Sequence, residues 1–249
     1  MALEIIPIRI GKKKTRFDLF EALQNFEYKN NDIIVVSSKF MAVSEGAVVR
    51  LDSVGPSKKA RTLAAKWKMD ARIAELVIRE SDYIVKGVPG FLLAIRSGMI
   101  APNAGIDKSN APAGYVILYP RDAFASAESL RRKFKKAGLR VGIVVADSRL
   151  MPTRKGTTGV AIACAGFDPV DDLRGKKDLF GHVLRVTMKA VADGIATMGV
   201  AVMGESSEST PAAVVRGASV RWSEKKFSWK DMAVPAHEDI YFRGVTPEE

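Results

Sequence analysis

The chain has 249 residues, 47% of them hydrophobic and 27% charged, with a formal net charge of +11 and a pI near 9.7. That is enough apolar sequence for a sizeable core, yet no apolar run reaches the ~18–20 residues of a membrane-spanning helix. One cysteine excludes an intrachain disulfide, and with only two histidines, His182 and His237, structural zinc and His-based nucleophilic machinery are poorly served.

In chain order, LEIIPIRI reads as a first strand, followed by basic Lys12–Lys14. The apolar run precedes the charges there, the wrong order for a secretory signal. RFDLFEALQNFE spaces Phe17, Phe20, Leu23 and Phe26 by three and predicts a helix. DIIVVSS is a compact buried strand and EGAVVRL another. SKKARTLAAKWK and DARIAELVIRES predict two helices, the second capped by Asp70. YIVKG, FLLAIRSGMI and YVILYP follow as strands. Between the last two lies APNAGIDKSNAPAG, fourteen residues where a hairpin needs two to five.

SAESLRRKFKKAG predicts a helix over about 126–138, with Leu130 and Phe134 facing inward together. Five of residues 131–136 are basic, so most must be solvated. RVGIVVAD and GVAIACAG are the most strongly buried strand candidates, which makes Cys164 a buried, inert thiol. LRVTMKAVADGIATMGVAVMG carries Leu184, Met188, Val191, Ile195, Met198 and Val202 at helical spacing, a stripe with core methionines. AAVVRG closes as a strand. There is no repeat or low-complexity linker, so a second domain would be an insertion within the first.

The positive charge admits nucleic acid, an anionic membrane surface or small polyanions as partners. No zinc-finger spacing, RNA-binding aromatic signature or recognition-helix pattern accompanies it. With so few His and Cys residues, a metal would be held by oxygen, which means Mg²⁺, Mn²⁺ or Ca²⁺. Asp107, Asp147 and Glu205 each follow an apolar element and open a polar loop. An Asp at a strand's carboxyl end suits a ligand, and equally a turn or cap. Neither a P-loop nor a GxGxxG stands in the chain. Phosphate-binding candidates are GESSEST, with hydroxyls and free amides after a helix, and Ser37-Ser38-Lys39 after a strand; each is also an ordinary surface turn.

NAGIDKSN, VVADSR, RKGTTGVAIACAG, LRGKKDLFGHVLRVT and VADGIATMGVAVMGE…PAAVVRG together resemble coenzyme F420-0:L-glutamate ligase, over about residues 4–217. The resemblance implies a ligase that uses GTP to join L-glutamate to the phospholactyl carboxylate of coenzyme F420-0 through an acyl phosphate, and then adds further γ-linked glutamate. It implies Mg²⁺ or Mn²⁺, with K⁺ in some members, and chemistry carried by positioning and metal assistance, with no acid–base residue assigned. The implied fold is α+β, a two-domain protomer with mixed and antiparallel sheets flanked by helices, in an intertwined cytoplasmic homodimer. The catalytic region would cover residues 1–221, with subdomain boundaries near 85 and 185 and a C-terminal extension over 222–249. Neither nucleic acid nor membrane is an expected partner. A paralogue that binds nucleotide but ligates another substrate, or has lost catalysis, is the alternative.

By the same resemblance, Asp107, Asp147, Ser148 and Glu205 are metal ligands, the Ser standing where Thr is more frequent. Nucleotide contacts fall to Gly11, Lys12, Lys13 and Lys14, to Ser38 and Lys39, to Asn110, and to Met203, Gly204, Ser206, Ser207, Glu208, Ser209 and Thr210. One departure stands out. Where the family usually has Lys in S-K-x-E-G, this chain has Val43 in Ala42-Val43-Ser44-Glu45-Gly46. Lys39 or Lys12–Lys14 would have to compensate for the missing ammonium.

Overall fold

The computed structural model describes residues 2–13 and 15–244. In chain order its elements are β1 (Glu4–Ile8), α1 (Leu19–Leu23), β2 (Ile33–Ser37), α2 (Ser38–Glu45), β3 (Val48–Arg50), α3 (Lys58–Trp67), α4 (Ala71–Glu80), β4 (Tyr83–Val88), β5 (Phe91–Arg96), β6 (Met99–Pro102) and β7 (Tyr115–Ile117). Then come α5 (Ala123–Lys136), β8 (Gly142–Leu150), β9 (Thr157–Ala165), β10 (Val170–Asp172), β11 (Met188–Ala190), α6 (Val191–Met203), β12 (Ala212–Arg216) and α7 (Ile240–Gly244). The fold is α+β, with mixed and antiparallel sheets.

The chain forms two compact units, one of residues 1–44 and 122–232, the other of 45–121 and 233 onward. The first is built on a five-stranded sheet of order β1-β12-β2-β8-β9, antiparallel except between β2 and β8. Ile33–Val36 and Ile143–Val145 are fully buried, as a continuous apolar strand requires. α6 covers one face through Ala192, Ile195, Ala196, Val200 and Met203 against Val35, Val144 and Ala161. Gly199 allows this approach, since a Cβ there would lie 2.6 Å from a Val35 methyl. α5 packs on β8 and β9, and its Phe134 meets Phe20 and Tyr28 edge-on. Trp222, Phe227 and Met232 pack against the α6 core. Cys164 is buried, and burial pushes its thiol up to about 12, so it is inert.

The second unit carries an antiparallel β4-β5-β6 sheet, a β3–β7 pair and the α3–α4 hairpin around a core that includes Ala60, Leu76, Val77, Leu92 and Val116. Asp70 caps α4 by accepting from the Arg72 amide at 2.8 Å, as the sequence indicates. The run FLLAIRSGMI is not one strand but β5 and the start of β6; Ser97 and Gly98, at φ 49° and 70°, turn the chain between them.

Two other readings need correction. The helix expected over RFDLFEALQNFE shrinks to five residues, capped by Asp18. The long amphipathic helix begins only at Val191: Leu184 lies before it, and Met188 is a half-exposed residue of β11. The buried stripe is made of Ala and Gly as much as large residues, which a count of bulky side chains cannot see. Four of the five basic residues over 131–136 are exposed, as the sequence indicates, and the exception is Arg131. It is 7% exposed and paired with Glu128 at 2.7 Å and with Glu224 at 3.2 Å.

Candidate active site

Strand register brings distant segments of the first unit to one end of its sheet. Ile8, Ala212, Val36 and Val145 align across four strands. Just beyond that line lie Gly11–Lys13, the loop before Pro211, Ser38-Lys39 and Asp147-Ser148. β2 ends at Ser37, opposite Ala146, whereas β8 runs on to Leu150 paired with β9 alone. Asp147 and Ser148 therefore project where the sheet's parallel neighbour has stopped. α2 starts at that gap.

Hydrogen bonds join these segments. Ser38 Oγ, fully buried, donates to Asp147 Oδ1 at 3.2 Å. Ser148 Oγ donates to Glu205 Oε1 at 2.8 Å, and Thr157 Oγ1 donates to the same oxygen at 3.2 Å. Arg149 Nε stands 3.6 Å from Asp147 Oδ2, a charge contact longer than a hydrogen bond. Glu205 owes its place to α6, which stops at Gly204 with φ 77° and ψ 174°. The loop after it is internally tied: the Ser206 amide donates to Glu208 Oε2 at 2.8 Å, and Thr210 Oγ1 donates to the Met203 carbonyl. The Ile10 amide donates to the Ser209 carbonyl at 2.9 Å, and the Ser37 amide to the Pro211 carbonyl at 2.9 Å. The first bond sets Gly11–Lys13 beside the loop over 203–210. Lys13 rests over the Phe17 ring at 5.6 Å, and Phe17 contacts Phe40 of α2 at 4.8 Å. Lys14 lies outside the described residues. A groove of about 630 Å³ opens between Pro7–Lys13 and Phe17–Phe26. Asp147, Ser148 and Glu205 do not line it.

Asp107 and Asn110 belong to the second unit. Asp107 exchanges backbone hydrogen bonds with Ile117, and its carboxylate accepts from the Ser109 amide at 2.8 Å and the Ser109 hydroxyl at 2.6 Å. Asn103, Ala104, Gly105 and Asn110 all have positive φ. A Cβ on Gly105 would fall inside the Tyr119 ring, so only glycine fits there. The length of the loop is thus spent on a path with repeated left-handed residues on either side of a half-buried Asp107.

Sequence reasoning missed Thr157 and Arg149, and also Asp193, whose Oδ1 accepts from the Ala161 amide at 2.8 Å. Burial pushes the Asp193 carboxyl above its ordinary value. The Thr pair opening a buried strand in KGTTG was the available signal for Thr157.

The donor set around Asp147 and Glu205 is all oxygen, which fits a hard divalent cation. Among the described residues no three His, Cys, Asp or Glu side chains converge. The Glu205 carboxylate with the Ser148 and Thr157 hydroxyls, and the Asp147 carboxylate with the Ser38 hydroxyl, are oxygen donors of the kind a Mg²⁺-like ion takes beside water.

The chain matches the family model for F420-0:gamma-glutamyl ligase over residues 12–217. It belongs to that family. The coenzyme F420:L-glutamate ligase of Methanopyrus kandleri is 38% identical over 219 residues, covering 86% of this chain and 87% of that protein. Its counterparts in Methanocaldococcus jannaschii, over 95% of this chain and 94% of that protein, and in Archaeoglobus fulgidus, over 88% and 90%, are each 35% identical. The family match takes in every segment at the end of the sheet except Gly11 and the residues before it. Among the described residues no helix of this ligase-family chain is long and apolar enough to cross a membrane.

Proposed function

We propose that this protein is a GTP-dependent ligase that joins L-glutamate to the phospholactyl carboxylate of coenzyme F420-0 and then adds further γ-linked glutamate. The observation that carries the reading is the ligase-family match over residues 12–217, which spans the oxygen-rich end of the sheet. In the first step a carboxylate oxygen of F420-0 attacks the γ-phosphorus of GTP, and GDP leaves with the bridging electron pair. In the second, the glutamate amine attacks the acyl carbon, phosphate departs and the amine loses a proton. Such steps need positioning and charge neutralisation more than acid–base residues.

In this reading Asp147, Ser148 and Glu205 hold Mg²⁺ or Mn²⁺, with Asp107 as a further ligand. The ion, when bound, neutralises charge on the transferring phosphoryl group. Ser38, Lys39 and the Gly11–Lys14 segment contact the nucleotide's phosphates and sugar. Asn110 and the loop of Met203, Gly204, Ser206, Ser207, Glu208, Ser209 and Thr210 complete the nucleotide contacts. K⁺ is a further cation of the same reading.

The two units form one two-domain protomer, and two protomers an intertwined homodimer in the cytoplasm. Support for a dimer comes from the arm between β10 and β11, where Leu179 is 100% exposed and Phe180 87%. Neighbouring large apolar side chains in that state mark an interaction surface. The single buried cysteine suits a reducing compartment.

The test is turnover of F420-0 with glutamate, followed by mass, with GTP or ATP and with Mn²⁺ or Mg²⁺. Products heavier by one and then two glutamates, formed with GTP and metal, are expected. Binding of GDP without any glutamate incorporation would instead favour a paralogue with another acid substrate. The observation on that side is Val43, buried at 8% exposure where the family usually has Lys.

A further inference from the structure

β9 does not keep step with β8. Val145 pairs with Ala163 but Ala146 with Ala161, so Ile162 is an extra residue. Ala161 and Cys164 pack into the same core under α6 although they are three apart. In an uninterrupted strand they would point to opposite faces. The bulge therefore reverses the facing of every residue before it. Gly159 and Thr157 turn toward α6 only because Ile162 is inserted.

α6 grips the strand on the site side of this bulge. Asp193 Oδ1 accepts from the Ala161 amide at 2.8 Å, and Thr197 Oγ1 donates to the Gly159 carbonyl at 2.8 Å. Four helix residues rise about 6 Å and two strand residues about 6.6–6.8 Å, so the two contacts are commensurate. Between them the helix backbone lies on Gly159, where a Cβ would sit 2.5 Å from the Ala196 carbonyl oxygen. Farther along in the same direction, Thr157 and Ser148 meet Glu205, two residues past the end of α6.

We infer that Asp193, with Thr197, is a positioning residue for the Glu205–Ser148–Thr157 oxygen cluster: it holds the β9 bulge and the register of α6 that bring these groups together. This rests on the reading that the cluster binds a divalent cation. Asp193 itself touches neither ion nor nucleotide. It acts through the Ala161 amide, so what matters is an acceptor oxygen, which Asn also supplies.

The test uses the full chain with Mn²⁺ and GDP, reading free Mn²⁺ by electron paramagnetic resonance and Ala161 amide exchange by NMR. Neither readout depends on F420-0 or on turnover. Asp193→Ala should speed Ala161 exchange and weaken Mn²⁺ binding by about 10-fold, the lower end for loss of a supporting contact to a metal site. Asp193→Asn should restore both to near the parent. If Asp193→Ala fails to fold, Thr197→Val probes the same clamp and should weaken Mn²⁺ binding by several-fold, roughly the loss of one hydrogen bond. A folded Asp193→Ala with fast Ala161 exchange and unchanged Mn²⁺ affinity would overturn the inference. So would an Asn variant as impaired as the Ala one. Failure of the parent itself to bind Mn²⁺ with GDP would remove the underlying metal reading instead.

Discussion

Ser148 and Glu205, 57 residues apart in the chain, are joined by a 2.8 Å hydrogen bond in which the serine hydroxyl donates. The bond links the end of a buried strand to the end of a buried helix, so both carboxylate-bearing segments are fixed before any ligand arrives. Glu205→Ala should cut metal-supported turnover by about 10- to 100-fold, the scale of one charged contact. Glu205→Gln keeps an oxygen for Ser148 and Thr157 and should cost less. Asp147→Asn should abolish turnover while leaving the melting temperature without ligand almost unchanged. Normal rates for Asp147→Asn at saturating Mn²⁺ would remove that residue from the metal site.

Lys39 and Val43 are one helical turn apart on α2. Lys39→Ala should weaken binding of GDP with Mn²⁺ by about tenfold or more. Val43 is buried. Val43→Lys should therefore lower stability by roughly 1–3 kcal/mol even where it adds a phosphate contact. Calorimetry and thermal melts separate the two effects. Parent-like affinity in both Lys39→Ala and a Lys12–Lys14 neutralised chain would argue against compensation by either.

Asp32 is fully buried and receives both Arg216 Nε and an Arg216 terminal nitrogen at 2.9 Å, tying the start of β2 to the end of β12. Arg216→Leu strands that carboxylate and should destabilise the protein by about 3–5 kcal/mol. Adding Asp32→Asn should recover part of the loss. Denaturant midpoints of the two variants check this, and equal midpoints would refute the pairing argument.

Glu75 accepts from the Ser57 amide and from Arg79 Nε, both at 2.9 Å. The Ser57 contacts first, and then Arg79, hold its carboxyl down at about 2, against an ordinary 4.5. A lowered folded value means a contribution complete above about 4.5 and lost as pH falls toward 2. Glu75→Gln should flatten the fall in stability across that window. A parent-like acid slope in the variant would show that the Ser57 and Arg79 contacts contribute nothing.

Patterns of large apolar residues located β2, β8 and α4, because their periodicity is carried by Val, Ile and Leu. The same patterns misplaced the start of α6, whose contact face relies on Ala192, Ala196 and Gly199. Asp147, Ser148 and Glu205 were legible as carboxylates and hydroxyls after apolar elements. The Ser148–Glu205 and Ser38–Asp147 contacts were not, since they depend on which elements neighbour one another. Thr157 was hidden more deeply: a single inserted residue decides its facing, and the bulge is held from another element by Asp193.

The excursion over residues 45–121 has a consequence for the order of assembly. Pairing Ile33 with Gly142 closes 109 residues of chain, and such closure delays parallel sheets. Val48 pairs with Ile117 inside the excursion, bringing its two ends together without help from the rest of the chain. Once it has folded, the polypeptide between β2 and β8 behaves as a far shorter tether. The excursion should thus collapse first and speed the closing of the larger sheet. Trp67 is its only tryptophan, beside Trp222 and Trp229 elsewhere. In a refolding chain with those two changed to Phe, the Trp67 signal should precede burial of Cys164; simultaneous phases would mean that the excursion gives the sheet no head start.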